Sequence, residues 1–476
     1  MSTLRRRPEI VVAALTGVLL LAVAARYGYH RDELYFLEAG RHLAWGYPDQ
    51  PPLVPAVARV MSTVAPDSLV ALRLPSALIG AAVVFLAGDM AGRMGARLSG
   101  RALAAAATAL SGFLLGMGHL LSTATFDLVG WTLLTLIVLR VLLGETAGPG
   151  PWLTAGVVAG LTLQANVLVA FLLLALVVSL LLVGPRRVLA SPWPWVGAVI
   201  AFVLGAPYLL WQASEGWPQL DVASNIAAGG SGSSVPRAAF LPLVLLQVGP
   251  WLAPIWIFGL VRLWRDPALR SLAATFGLLV VVFLVTGGKS YYLAGLYPLL
   301  FAAGAQPLID RARSWVPAVL LVLSLPVLVF ALPILPVRSA QPAIEVNYDL
   351  GETIGWPQHV EAIAAAYRRL PAGTQILTGN YGEAGAVDRY GPALGLPRAY
   401  SGHNAYASWG HPTGSTPVLV LGIDARTLRE VCARLDTVGR LGQPFGIDND
   451  EDGAPVHYCV PARPWSEVWP DLTHLG

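Results

Sequence analysis

The chain has 476 residues, of which 55% are apolar and only 12% charged, and its formal net charge is +3. A soluble domain carries about 25% charged residues, and half that share cannot cover the surface of a soluble protein this size. The arithmetic counts against a water-soluble enzyme, a disordered chain and, with so small a net charge, a nucleic-acid binder; it points to an integral membrane protein.

A helix needs about 20 apolar residues to cross the hydrocarbon core. The first such run, 10–26, follows the basic cluster Arg5, Arg6 and Arg7. Ala22-Val23-Ala24 looks like a cleavage site, but the many apolar runs that follow favour an uncleaved anchor. A long loop, 27–68, comes next, stiffened by Pro48, Pro51 and Pro52, and residues 51–64 fit a short amphipathic interfacial helix. Further apolar runs occupy 69–91, 102–121, 126–143, 152–166, 167–183, 193–211, 240–264, 272–286, 291–307 and 315–335, eleven in all, with the 152–183 pair turning near Asn166. Arginines fall in alternate loops: Arg5 to Arg7; Arg93, Arg97 and Arg101; Arg186 and Arg187; Arg262, Arg265 and Arg270; Arg311 and Arg313. The positive-inside rule makes those loops cytoplasmic, together with the N-terminus. The 27–68 loop, the 213–237 loop with its flexible Gly229-Gly-Ser-Gly-Ser-Ser stretch, the 287–290 turn and everything after 336 then face outward. Trp152, Trp193, Trp211, Trp264 and Trp315 fall at span ends, where an interfacial belt belongs.

The hydrophobic pattern stops near Pro336, which divides the chain into a membrane part, 1–336, and an extracytoplasmic α/β domain, 337–476. In the latter, 359–370 reads as a helix, 375–379 and 418–423 as buried strands, and 457–460 as a late strand. Asp424 is placed to cap a helix running through Leu435. Cys432 and Cys459 form one disulfide on an oxidising face or remain two separate buried thiols.

Three outward features carry chemistry. Asp32 and Glu33 follow the first span closely and sit near the membrane boundary, where ionisable groups need a reason to be present. Adjacent carboxylates point different ways on a helix, so one can face a cavity and remove a proton from a hydroxyl while the other braces the loop; both can equally be solvated caps. Asp127, opening the fourth span, is on the same side, either as a partner in that cavity or as an ordinary first-turn acid. Lys289, in Gly287-Gly-Lys-Ser-Tyr-Tyr, is the single lysine among 31 basic residues. Its turn offers an ammonium, flexible glycines and the N-terminal amides of the next span to a membrane-bound phosphate, with Tyr291 and Tyr292 as hydroxyl donors; a snorkelling anchor is the alternative. Arg73 pairs with an acid of the first loop, contacts phosphate or snorkels. Tyr381, Glu383, His403 and Asn404 line an acceptor cleft or make ordinary loop hydrogen bonds.

The stretch Arg31-Asp-Glu-Leu-Tyr-Phe-Leu-Glu-Ala-Gly-Arg-His-Leu-Ala-Trp-Gly-Tyr-Pro-Asp-Gln-Pro-Pro-Leu resembles the first-loop signature of bacterial glycosyltransferase family 39, relatives of the protein O-mannosyltransferases and the aminoarabinose transferase, with the GT-C fold. Residues 121–131 resemble that family's second acidic motif, and Gly288-Lys-Ser-Tyr-Tyr-Leu-Ala-Gly-Leu-Tyr-Pro its Gly-Lys-x-Tyr-Tyr turn. Asn380-Tyr-Gly-Glu-Ala-Gly and Tyr400-Ser-Gly-His-Asn-Ala-Tyr are also similar to bacterial members. The resemblance implies an α-helical polytopic protein of about eleven spans that moves one sugar from a polyprenyl-phosphate donor to a lipid, glycan or protein acceptor on the outer face. It further implies Asp32 as base, Glu33 beside it, Asp127 on the acceptor side and Lys289 on the donor phosphate. Gln50, where the family often has His, and Asn166-Val167, where it often has Lys-Tyr, depart from the pattern.

A lipid phosphate is already a leaving group, so the absence of a dinucleotide fingerprint fits, and one base with in-line attack implies inversion. No metal-ligand spacing stands out, and neither metal nor cofactor is expected. Two other readings compete: a transporter or flippase of a lipid-linked sugar, which the one-sided acids and the absence of a visible repeat count against, and a non-catalytic membrane scaffold. The arginine-rich composition suits a high-GC bacterium and its plasma membrane.

Overall fold

The computed structural model describes residues 7–230, 234 and 236–476. Arg5, Arg6 and the centre of the glycine-serine stretch, 231–233, lie outside the described residues. Every one of the eleven expected apolar runs is helical. Among the described residues, four helices are long and apolar enough to cross a membrane: Leu69–Arg93, Thr123–Leu142, Trp193–Ser214 and Ser290–Arg311. Two bent pairs bring the number to six. Leu98–Ala109 and Gly112–His119 meet at 60°, and Arg237–Val248 and Pro250–Arg265 meet at 79°. Shorter helices, Pro8–Val23, Pro149–Leu163, Val169–Leu182, Arg270–Thr286 and Val316–Ala331, complete the bundle. The amphipathic helix expected at 51–64 is present as Leu53–Val64.

Helix Leu69–Arg93 packs against Pro8–Val23, Leu98–Ala109 and Thr123–Leu142, and Tyr297–Arg311 is almost wholly enclosed behind them. One end of the bundle is laced by ion pairs: Arg101 with the buried Glu9, Arg93 with Asp89 at 2.7 Å and Glu145 at 2.5 Å, and Arg97 with Asp310. Asp32 and Glu33 lie at the opposite end of helix Pro8–Val23.

The C-terminal part contains one five-stranded sheet, β1 (Gln375–Thr378), β2 (Ala399–Ser401), β3 (Val418–Leu421), β4 (Cys432–Arg440) and β5 (Pro455–Pro461), in the order β2-β1-β3-β5-β4. β1 runs parallel to β2 and β3, while β5 is antiparallel to both its neighbours. The expected helix from Asp424 is shorter than its sequence suggests. Asp424 does cap it, accepting from the Arg426 N–H at 3.0 Å, but the helix ends at Val431. The next residues pair along β5 instead, and Cys432 is bonded to Cys459 across the two strands, with Cα atoms 5.6 Å apart. A disulfide at that position holds the chain extended where local propensity would continue the helix.

The first-loop helix Arg31–Ala39 does not stand apart from this C-terminal part. Leu34, Tyr35 and Phe36 share one apolar cluster with Trp356, Val360 and Ile363 of helix Trp356–Tyr367 and with Ala384 and Val387 of helix Tyr381–Tyr390. Arg389 adds an ion pair to Asp67 at 2.7 Å. The opposite face of the sheet buries Leu377, Val418 and Val420 against Leu428, Trp465 and Val468.

Candidate active site

Helix Arg31–Ala39 begins in a capping box. The His30 ring accepts from the Asp32 N–H at 3.2 Å, and Glu33 Oε2 accepts from the His30 N–H at 2.9 Å. Satisfying these first-turn amides fixes where the helix starts and sends two consecutive carboxylates in different directions.

Glu33 turns inward and is fully buried. Arg73 donates to it twice, Nε to Oε1 at 2.9 Å and Nη2 to Oε2 at 2.7 Å, and the Leu121 N–H reaches Oε1 at 3.0 Å. The same guanidinium, 1% exposed, donates to the carbonyls of Ala24 at 2.8 Å and Gly28 at 2.7 Å. Burial raises the Glu33 carboxyl, but Arg73 and the two backbone amides outweigh it and hold it below the usual carboxylate range. Of the roles weighed for Arg73, the structure selects pairing with a first-loop acid. Each of its three guanidinium nitrogens donates to protein, so the contact with donor phosphate expected of it is not what the structure shows. Glu33 likewise has both oxygens filled and serves as the fastening of the loop, not as an open acid of the site.

Asp32 faces the other way, with its side chain 36% exposed. The Tyr381 hydroxyl donates to its Oδ1 at 2.9 Å, Arg31 Nε lies 3.6 Å from Oδ1, and His30 Nδ1 lies 3.9 Å from Oδ2. Burial pushes this carboxyl up; His30, Arg31, the Tyr381 hydroxyl and the more distant Lys289 together hold it below the ordinary value. Asp32 is therefore ionised at neutral pH.

Tyr381 opens its helix behind the Asn380 cap and stacks on Tyr35, with ring centres 4.6 Å apart. The His403 ring lies 4.6 Å beyond it and stacks in turn on His474 at 4.5 Å. Burial, with His474 alongside, pushes His403 down to about 3, so it is neutral. Asn404 takes φ +50 and accepts from the Gly476 N–H at 3.0 Å. Glu383 is elsewhere: its Oε2 accepts from the N–H groups of Gly379 at 3.0 Å and Asn380 at 3.1 Å. Burial pushes it up to about 7. It caps a helix within the C-terminal core, which corrects its expected place in a cleft.

The Lys289 turn forms because Gly287 at φ +74 ends helix Arg270–Thr286 in the left-handed region, which favours glycine. Lys289 then sits at the N-cap of the 3₁₀ segment Ser290–Leu296, with Nζ 6.0 Å from the Tyr291 ring centre. Tyr291 and Tyr292 meet edge to face at 5.2 Å, and Tyr292 is braced by Phe283 at 5.3 Å. The segment packs on helix Thr123–Leu142, where Gly295 lies so close to Trp131 that any Cβ would collide with it. Asp127 is on that helix, 7% exposed, with Oδ1 lacking a hydrogen-bond partner among the described residues. The structure thus groups Asp32 with Tyr381 and His403, and Asp127 with the Lys289 turn. Lys289 is near enough to Asp32 to act on its charge.

Sequence reasoning missed Asp49. Its Oδ1 accepts from the Tyr35 hydroxyl at 2.7 Å, and Tyr35 is the ring stacked on Tyr381. Burial pushes Asp49 up to about 6; the Tyr35 hydroxyl opposes that rise and the charge of Asp32 adds to it. The signal was available in Tyr47-Pro-Asp-Gln-Pro-Pro, where the prolines and Gln50 were weighed but Asp49 was not. Among the described residues no three His, Cys, Asp or Glu side chains are grouped to hold a metal ion.

Residues 49–211 match the model of the dolichyl-phosphate-mannose-protein mannosyltransferase family. That stretch includes Asp49, Arg73 and Asp127 but not Asp32 or Lys289. A search of curated proteins finds no match. Among solved structures, ArnT from Cupriavidus metallidurans in the apo state is similar with a TM-score of 0.62 at 15% identity, over 94% of this chain and 97% of that one. The same protein bound to undecaprenyl phosphate gives 0.55 at 15% identity over the same shares. The arabinofuranosyltransferase AftD from Mycobacteria gives 0.50 at 15% identity, over 96% of this chain and 40% of that one. The resemblance seen in the first-loop and lysine-turn motifs thus holds at the level of architecture: the chain is a helical membrane protein with the GT-C glycosyltransferase fold, similar over residues 49–211 to the protein mannosyltransferases.

Proposed function

We propose that the protein transfers one sugar from a polyprenyl-phosphate-linked donor to a hydroxyl-bearing lipid, glycan or protein acceptor, with inversion at the anomeric carbon. The observation that carries this reading is one ionised carboxylate, Asp32, fixed by Tyr381 and held within electrostatic reach of Lys289. Asp32 takes the proton of the acceptor hydroxyl as its oxygen bonds to the anomeric carbon. The bond from that carbon to the phosphate oxygen breaks with its electron pair on phosphate. Lys289, the Ser290–Leu296 amides and the Tyr291 and Tyr292 hydroxyls meet the charge that develops there. One displacement inverts the centre, and the reaction so written needs no cofactor.

ArnT, which shares the fold, has been crystallised with undecaprenyl phosphate, and this supports a lipid-phosphate donor for the chain. The arginine-bearing loops at the far end of the bundle support an outward-facing site in a plasma membrane, with the C-terminal part over it and the N-terminus in the cytoplasm. The test is purified protein in lipid nanodiscs with a panel of polyprenyl-phosphate sugars and a membrane and cell-wall extract, followed by mass spectrometry. Wild type should consume one donor and yield a glycosylated acceptor, while Asp32→Asn should lose at least about 100-fold in rate. Equal turnover by both would move the base elsewhere.

A further inference from the structure

At the end of the bundle away from Asp32, a cavity of about 230 Å³ is lined by Arg7, Asp89, Gly92, Arg93 and Arg101. Three helices build it. Arg7 stands at the N-cap of Pro8–Val23, Asp89, Gly92 and Arg93 close helix Leu69–Arg93, and Arg101 lies near the start of Leu98–Ala109. A Cβ on Gly92 would lie 3.1 Å from Arg101 Nε and 3.2 Å from its Cζ, so the bare backbone gives that guanidinium its room.

The arginines are anchored without being used up. Arg93 donates Nε to Asp89 at 2.7 Å and Nη1 to Glu145 at 2.5 Å, Arg101 donates Nη2 to the buried Glu9, and Arg140 Nε stands 3.6 Å from Glu145. Arg101 Nε, buried, has no hydrogen-bond partner among the described residues, and Arg93 Nη2 and the exposed Arg7 have none there either. Four arginines thus share three carboxylates. The surplus is one positive charge, which a single phosphodiester neutralises, and the guanidinium fork suits phosphate oxygens. Beyond Arg7, helix Pro8–Val23 leaves Val11, Leu15 and Val18 exposed, four and three residues apart and so on one face, while Ala13 and Leu20 are buried. A basic pocket at the head of an apolar track fits a molecule with an anionic head and an acyl tail better than it fits a free phosphate.

We propose that this cavity binds the phosphodiester head of an anionic membrane phospholipid, with an acyl chain along Val11, Leu15 and Val18. Arg7 and the unspent N–H groups of Arg93 and Arg101 take the phosphate oxygens, while Asp89 keeps Arg93 in place. On the orientation proposed above, the lipid belongs to the cytoplasmic leaflet, whose anionic lipids attract clustered arginines. The bound head ties three helices together far from Asp32, so it acts on the stability of the bundle and not on sugar transfer.

The test uses the full chain in nanodiscs of phosphatidylcholine, alone or mixed with phosphatidylglycerol, and native mass spectrometry after extraction into detergent. Phosphatidylglycerol should raise the melting temperature and remain bound as one molecule per chain. Arg7→Gln should leave melting in phosphatidylcholine unchanged but weaken phosphatidylglycerol retention about fivefold, and Arg7→Lys should largely restore it. Arg313→Gln, which changes an exposed arginine at the same end but outside the cavity, should leave retention as in wild type. Equal losses from Arg7→Gln and Arg313→Gln would mean surface attraction without a site and overturn the assignment. No gain with phosphatidylglycerol would overturn it too, as would an equal gain from inorganic phosphate in phosphatidylcholine, which would make the ligand a free anion.

Discussion

Replacing Arg73 with methionine removes four hydrogen bonds at once: two to Glu33 and one each to the Ala24 and Gly28 carbonyls. Methionine fills most of the volume, so the chief loss is electrical. Glu33 remains buried with only the His30 and Leu121 amides against its charge. Breaking a buried pair from one side costs about 3–5 kcal/mol. Removing both charges with Arg73→Met and Glu33→Leu leaves no uncompensated charge, only the His30 and Leu121 N–H groups and the Ala24 and Gly28 carbonyls without their partners, so it should cost less than the two single changes added together. The Glu33 pKa lies below its unfolded value, so its contribution is complete above about pH 4.3 and drains as pH falls through the folded pKa. Equilibrium unfolding of the four proteins in mixed micelles at pH 7, with donor binding measured on each, tests this. If Arg73→Met changed stability by less than about 0.5 kcal/mol yet abolished donor binding, Arg73 would be a phosphate ligand and the fastening role would be wrong.

Tyr381→Phe withdraws the 2.9 Å hydrogen bond to Asp32, which favours the charged carboxylate, so the acid limb of turnover set by Asp32 should move to higher pH without loss of fold; a pH–rate profile checks it. Converting both Cys432 and Cys459 to serine opens a loop with a sequence separation of 27 and should lower stability by about 3 kcal/mol, seen as a lower melting temperature without reductant. Burial pushes Glu352 and Glu451 each up to about 8, with the charge of Glu451 adding to the rise of Glu352 and that of Glu383 to the rise of Glu451. Raised acids weaken the fold as pH climbs from about 4.3 toward that value, so Glu451→Gln should raise the melting temperature at pH 8 and change it little at pH 5.

The bundle was legible because apolar runs and arginine-bearing loops are one-dimensional signals. Their breaks were less so: the 60° and 79° bends depend on packing that no single run encodes. In the C-terminal part, β1 and β3 announce themselves as short apolar runs, whereas β4 reads as helix until Cys432 is tied to Cys459. Asp32, Asp127 and Lys289 stood out by position and rarity. Glu33 and Arg73 were equally visible, but only their mutual geometry separates a fastening from a ligand. Asp49 was hidden because its partner Tyr35 lies on a different element and the rings that link it to Asp32 come from opposite ends of the chain.

That last arrangement has a bearing on time. Tyr381 is 349 residues downstream of Asp32, and Leu121, which completes the Glu33 cluster, is 88 residues downstream of it. At roughly 5–20 residues per second of synthesis, the first loop waits many seconds for its bracing and roughly 20–70 s for the phenol that orients its carboxylate. During that interval the growing chain already owns Asp32 but has no finished pocket around it. On the transfer reading proposed above, a half-made chain would lack the oriented carboxylate that turnover requires.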